Sequence, residues 1–173
     1  MIFVGGIHGV GKTFFCSKLS DILGIPHYSS SELISISKKE RFGSSKETKE
    51  INRNQGFLFN ALDSLNLKGK NFVLDGHFCL LSKDDMITKI PLDTFYKLSP
   101  GSVVLLKGSP ELVAQRLFNR DRREYNPEFL GQFQNEELTY AKTVSTLLNI
   151  PFHVFDVDHE KIETIVQELS KNR

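Results

Sequence analysis

Tryptophan is absent from this chain of 173 residues, and cysteine and methionine occur only twice each. Cysteines as far apart as Cys16 and Cys79 suggest neither a disulfide framework nor a zinc pattern. Both stand in apolar segments and read as buried free thiols. An excess of one charge is lacking too: 22 Lys and Arg against 21 Asp and Glu leave +1. That balance excludes bulk electrostatic attraction to nucleic acid or an anionic membrane, though not a local basic site. No stretch approaches the ~20 apolar residues that span a bilayer. Met1-Ile2-Phe3-Val4 carries no basic leader and reads as a strand, not a signal peptide. The expected compartment is the cytosol, and the expected organisation is one compact domain over 1–173, with no internal repeat.

What is present is an alternation of strand and helix patterns. Ile2–Val4 is an apolar run ending in Gly5-Gly6. Lys12–Leu23 has apolar residues at helical spacing (Phe15, Leu19, Ile22, Leu23) and stops at Gly24. Pro26–Tyr28 offers a short strand, and Ser29-Ser30-Ser31-Glu32 offers cap residues for a helix through Leu33 and Ile34. Phe72-Val73-Leu74 and Val103–Leu106 have the continuous apolar character of strands covered on both faces. Pro110 opens a helix through Leu112, Val113 and Leu117. A long helix follows from Pro127 towards Leu148, then a strand over Phe152–Phe155 and a closing helix over Lys161–Leu169. Such alternation predicts an α/β fold, a parallel sheet with helices on both faces. The polar segment Lys38–Gly69, with a weak helical pattern around Phe57, Leu58, Ala61, Leu62 and Leu65, reads as a helical insertion.

Gly6-Ile7-His8-Gly9-Val10-Gly11-Lys12-Thr13 lies between the first strand and the first helix. Its glycines let consecutive backbone N–H groups converge on one point, and the helix adds its free N-terminal donors and positive dipole end. Lys12 supplies a cation to the β- and γ-phosphates, and the Thr13 hydroxyl is a hard ligand for Mg²⁺. The stretch from Gly6 through Phe14 is therefore the expected Mg·ATP site. His8 either touches phosphate or substrate, or faces solvent as a loop residue.

Asp75 ends the strand Phe72-Val73-Leu74, at the carboxyl edge where doubly wound sheets gather ligands. It can hold Mg²⁺ through water, or it can simply form an Asp-Gly turn. His77, two residues on, lines an acceptor pocket or packs in its loop. Arg116, Arg120, Arg122 and Arg123 form the densest basic cluster, and Arg116 and Arg120 share a helix face. Guanidinium forks there would stabilise a migrating phosphoryl group. The plain alternative is a solvated helix end, with Asp121 and Glu124 as surface partners.

In their order along the chain these motifs resemble the nucleoside monophosphate kinase family of P-loop kinases. Gly6–Thr13 looks like its phosphate loop, and Ser30-Ser31-Glu32-Leu33-Ile34 like the start of its acceptor helix. Val73-Leu74-Asp75-Gly76 looks like the strand end beside the phosphates. Arg116 to Arg123 looks like a lid with flanking arginines, short because Tyr125-Asn126-Pro127 follows at once. That brevity is similar to archaeal-type adenylate kinases and shikimate kinase. Asp156-Val157-Asp158 stands where the family lets backbone groups meet adenine. The resemblance implies a three-layer fold with about five parallel strands, an acceptor-binding insertion about 30–69 and a lid about 119–127. It departs from the family at Ser35, where an arginine usually holds the monophosphate; Lys38, Lys39, Arg41 or Arg53 are the available substitutes. Asp75-Gly76-His77-Phe78 also lacks the usual arginine after the glycine.

The reading that follows is a phosphotransferase that moves the γ-phosphoryl of Mg·ATP to a nucleotide or nucleoside. Lys12, Asp75, Arg116 and Arg120 are its catalytic residues, and Thr13 and Asp75 its metal ligands. A polynucleotide 5′-end kinase, marked by a basic strip from Lys38, Lys39, Arg41, Lys46 and Lys49, is the first rival. An ATP-switched module acting on a protein partner is the second.

Overall fold

The computed structural model describes residues 1–42, 51–67, 69–81 and 86–171. Five parallel strands make the central sheet: β1 (Ile2–Gly5), β2 (His27–Ser29), β3 (Val73–Asp75), β6 (Ser102–Lys107) and β7 (Phe152–Asp156), in the order β2-β3-β1-β6-β7. Two further strands, β4 (Cys79–Leu81) and β5 (Ile87–Lys89), pair antiparallel beside it. The helices are α1 (Lys12–Leu23), α2 (Ser30–Phe42), α3 (Ile51–Ser64), α4 (Leu92–Leu98), α5 (Pro110–Asp121), α6 (Pro127–Leu148) and α7 (Ile162–Lys171).

β1 is central, in register with β3 at Ile2–Val73 and with β6 at Ile2–Ser102. Alternate residues point to opposite faces, so the sheet has two cores. On one face Phe3 meets Phe78 and Phe95 edge-on, at 5.1 and 5.6 Å between ring centroids. α6 packs there against α4, α5 and the antiparallel pair. Phe15 of α1 lies 4.8 Å from Phe155 in the other core, where α1 also packs on α7. β1, β3 and most of β6 are buried on both sides, as their unbroken apolar sequence requires.

The caps fix where helices begin. Ser109 Oγ accepts the Leu112 N–H ahead of Pro110, and Asn126 Oδ1 accepts the Glu128 and Phe129 N–H groups ahead of Pro127. The strand expected at Pro26–Tyr28 runs one residue later, because the Pro26 carbonyl accepts the Val73 N–H at the entrance to the ladder. Within the polar segment, α3 bears out the weak helical pattern, while 43–50, including Lys46 and Lys49, lie outside the described residues. β4, β5 and α4 have no counterpart in the sequence reading.

Candidate active site

The carboxyl ends of β1 and β3 bring the chemistry-bearing residues to one edge of the sheet. Leaving β1, the chain turns through Gly6–Gly11. Gly9 has φ +79°, and a Cβ on it would stand 2.7 Å from Leu117 Cγ, so only glycine fits. The loop closes by delivering Lys12 to the first turn of α1. Lys12 Nζ donates to the Gly6 and Ile7 carbonyls at 2.6 and 3.1 Å, folding the ammonium back over the loop. Burial pushes its pKa down to about 8, against the opposing pull of Glu137 and Asp75. Thr13 is exposed on the same turn, and Phe14 stands out from it, 73 % exposed.

Three cavities border this loop. Val10, Gly11, Phe14, Arg116 and Val157 line a cleft of about 870 Å³ on the α1–α7 side. His8, Asp75, His77, Ser30, Lys38 and Phe95 belong to the lining of a second, about 300 Å³, beneath α2 and α3. Ser35 is exposed and outside that lining, whereas Lys38, one turn on, is part of it. His8 keeps an exposed edge, while its ring lies 4.2 Å from that of His77. Partial burial of the ring, with Lys12 and Arg120 nearby, lowers the His8 pKa to about 4; burial holds His77 well below the usual imidazole range. Both rings are therefore uncharged at neutral pH.

Asp75 is buried but not bare. Its Oδ2 lies 2.7 Å from His27 Nε2, and its Oδ1 accepts the Ser29 hydroxyl at 3.2 Å. Cys16, His27 and Asp75 offer ligand-type atoms within 4.8 Å of one another. Burial pushes the Cys16 thiol far up, and as a soft sulfur donor it suits a hard cation such as Mg²⁺ poorly. The oxygen donors Thr13 and Asp75 are the pair that suits a hard cation.

The arginines separate. Arg116 Nη2 donates to Asp158 Oδ1 at 3.0 Å on the wall of the larger cleft. Arg120 forks onto Asp121 at 2.6 and 2.7 Å and faces a different cavity, which it shares with His8 and Tyr125. So the two residues share a helix but not a cavity. Arg122 caps α5 in the left-handed region, and Arg123 lies over the Tyr125 ring. Val157 lines the larger cleft, whereas the Asp156 carboxylate is turned to Asp158 N–H, His159 and Lys107.

Two residues at this edge escaped the sequence reading. One is His27. The other is Glu137 of α6, which is 0 % exposed and accepts backbone N–H groups from Gly6, Phe78 and Cys79. Burial pushes its carboxyl up, while those donors and Lys12 pull it down.

The thiols give this region a pH signature. Burial, with Glu137 beside it, raises Cys79 from 9.0 to about 12. The stability it contributes is complete below about pH 9 and is lost as pH rises towards about 12, because only the unfolded chain ionises there. Cys16 acts in the same direction. Lys12 opposes them, since its depressed pKa removes a cost of folding above about pH 8. Denaturant titrations across this range are expected to show stability falling above about pH 9, and falling less steeply in Cys79→Ser. An unchanged slope in that variant counts against a protonated buried thiol.

Comparison with known proteins agrees with this geometry. The family model described as AAA domain matches residues 5–130. A Thermococcus kodakarensis protein named "Putative adenylate kinase" is 31 % identical over 147 residues, covering 85 % of this chain and 70 % of that protein. A gluconokinase from Sinorhizobium meliloti superposes with a TM-score of 0.56 at 19 % identity, over 99 % of this chain and 89 % of its own. A shikimate kinase from Bacteroides thetaiotaomicron does so at 0.53 and 20 %, over 98 % and 95 %. The chain belongs to the AAA domain family of P-loop proteins, among its kinases. It is a phosphotransferase with the three-layer α/β fold of small-molecule P-loop kinases. Among the described residues, no helix is long and apolar enough to cross a membrane.

Proposed function

We propose that this kinase moves the γ-phosphoryl of Mg·ATP to a nucleotide or nucleoside. One observation carries the reading: the glycine loop borders both the α1–α7 cleft and the cavity beneath α2 and α3, through Val10 and Gly11 on one side and His8 on the other. Donor and acceptor can thus meet at the loop from opposite sides. The donor base takes the cleft between Phe14, Arg116 and Val157, and the phosphates lie over Gly6–Thr13. Lys12 exchanges its two carbonyl partners for phosphate oxygens. Thr13 and Asp75 would hold Mg²⁺, which would supply positive charge against that of the phosphates. Arg116 adds positive charge on the cleft side. Catalysis is then mostly positioning and charge stabilisation, as a loose phosphoryl-transfer transition state demands. The domain plan is one kinase unit, with the acceptor-binding insertion about 30–69 and the lid about 119–127.

A 5′-hydroxyl oligonucleotide is the second reading, supported by Lys38 on the acceptor pocket and Arg53 beside it, both about 6 Å from the Phe57 ring. A screen of nucleosides, nucleoside monophosphates and 5′-hydroxyl oligonucleotides with γ-labelled ATP tests both. Label in none of them, despite ATP turnover, favours the nucleotide-switched module.

Arg120 separates lid chemistry from surface decoration. Its exposed pair with Asp121 contributes little to folding, so Arg120→Ala is expected to shift stability by no more than roughly 0.5 kcal/mol. If the fork reaches the transferring group as the lid closes, kcat falls on the order of 100-fold, with ATP affinity nearly kept. Lysine restores only part, because it keeps the charge but loses the planar fork. Steady-state kinetics beside ATP affinity decides the matter, and wild-type turnover in both Arg116→Ala and Arg120→Ala rejects the clamp.

A further inference from the structure

A single carboxylate joins the two sides of this site. Glu137 projects from the middle of α6 into a region with no solvent contact. Its Oε1 accepts the Gly6 N–H at 3.2 Å and the Phe78 N–H at 2.9 Å, and its Oε2 accepts the Cys79 N–H at 2.5 Å. Gly6 opens the phosphate loop. Phe78 and Cys79 follow His77, whose ring lines the acceptor pocket and whose Nδ1 is 3.8 Å from Oε1.

A buried carboxylate is costly unless its oxygens are hydrogen-bonded. The other buried positions of this helix are apolar at Leu130, Phe133, Ala141 and Val144, and the one polar residue among them, Ser145, gives its hydroxyl to the helix's own Ala141 carbonyl. An acidic group at 137 therefore has a local reason, and three converging backbone donors, one from the glycine loop and two from the entry to β4, supply it. Because those donors are main-chain groups, the carboxylate fixes the path of both loops and the separation between them.

We propose that Glu137 is a positioning residue for phosphoryl transfer, clamping Gly6 to Phe78–Cys79 and so aligning the phosphate loop with the acceptor pocket. The inference rests on Gly6–Thr13 being the ATP site. Glu137 touches neither substrate; it acts through the backbone of the two loops. In-line transfer is sensitive to alignment, and a displacement of about 1 Å costs roughly 100-fold in rate.

The test compares wild type with Glu137→Leu and Glu137→Gln, at a temperature where circular dichroism shows all three folded. Glutamine keeps one acceptor oxygen but turns an NH₂ towards a backbone donor. Hydrolysis of Mg·ATP gives kcat and KM, and mant-ATP fluorescence gives affinity. The expected result is a kcat lower by roughly 100-fold in Glu137→Leu, partial recovery in Glu137→Gln, and KM and mant-ATP affinity within a few-fold of wild type. Variants that melt earlier yet turn over like wild type while folded overturn the proposal. If neither variant folds, ¹H–¹⁵N spectra of the wild type decide. Mg·ADP is expected to move the amide signals of Gly6, Phe78 and Cys79 with one midpoint. Signals of Phe78 and Cys79 that stay fixed while Gly6 moves overturn the clamp. A wild type that binds no mant-ATP overturns the site reading beneath it, an outcome distinct from wild-type-like variants.

Discussion

Lys12→Ala is expected to abolish turnover and erase the thermal stabilisation that Mg·ATP confers. Lys12 Nζ rests on two loop carbonyls, Gly6 and Ile7, in a desolvated position that already lowers its pKa to about 8. An ammonium held there by neutral acceptors gains much from an anionic phosphate, since its attraction is poorly screened. Alanine removes that gain but no part of the hydrophobic core, so the nucleotide-free variant folds. At a ligand concentration a hundred times Kd, binding stabilises the wild type by about 2.7 kcal/mol. For a chain of this size that is a rise in Tm of roughly 5–10 °C. Melting curves with and without Mg·ATP, for both proteins, measure it. Equal shifts in the two would remove Lys12 from the phosphate site.

Asp75→Asn is expected to cost turnover on the order of 100-fold or more, with mant-ATP binding partly retained. Asp75 is 6 % exposed, lines the smaller cavity, and is oriented by His27 and Ser29. Asparagine keeps the size and one acceptor oxygen, so the local packing survives. The charge that suits it to Mg²⁺ does not survive. Kinetics across a magnesium titration is the measurement: a loss of rate that extra Mg²⁺ partly offsets is the expected pattern. Activity within a few-fold of wild type at every magnesium concentration makes Asp75 a turn residue held by His27.

The parts legible in the sequence are those with local causes. The bounds of α6 follow from Asn126 and Pro127 at one end and the left-handed Asn149 at the other. The phosphate loop announces itself because its glycines, Lys12 and Thr13 act through backbone geometry within one turn of chain. β4 and β5 were not legible, since three-residue strands are too short for alternation to register. Partners distant in sequence were not legible either. Arg116 and Arg120 look alike on a helical wheel, and only the arrival of Asp158 from beyond β7 divides them between two cavities. Glu137 did leave a trace. Leu130, Phe133, Ala141 and Val144 mark a buried stripe, and residue 137 falls on it while Glu136 does not. An acid on an apolar stripe is the signal that was available.

The position of β1 also bears on how the molecule comes into being. Its neighbours, Val73 and Ser102 in register with Ile2, are made long after it, and Glu137, which grips Gly6, is made later still. During synthesis the phosphate loop therefore exists as sequence well before it exists as a shape. β1 waits on the ribosome as an unpaired apolar segment that only non-local, slowly formed contacts can shelter. The expectation is that nucleotide binding is acquired late in folding, when α6 docks, and not when the glycines emerge.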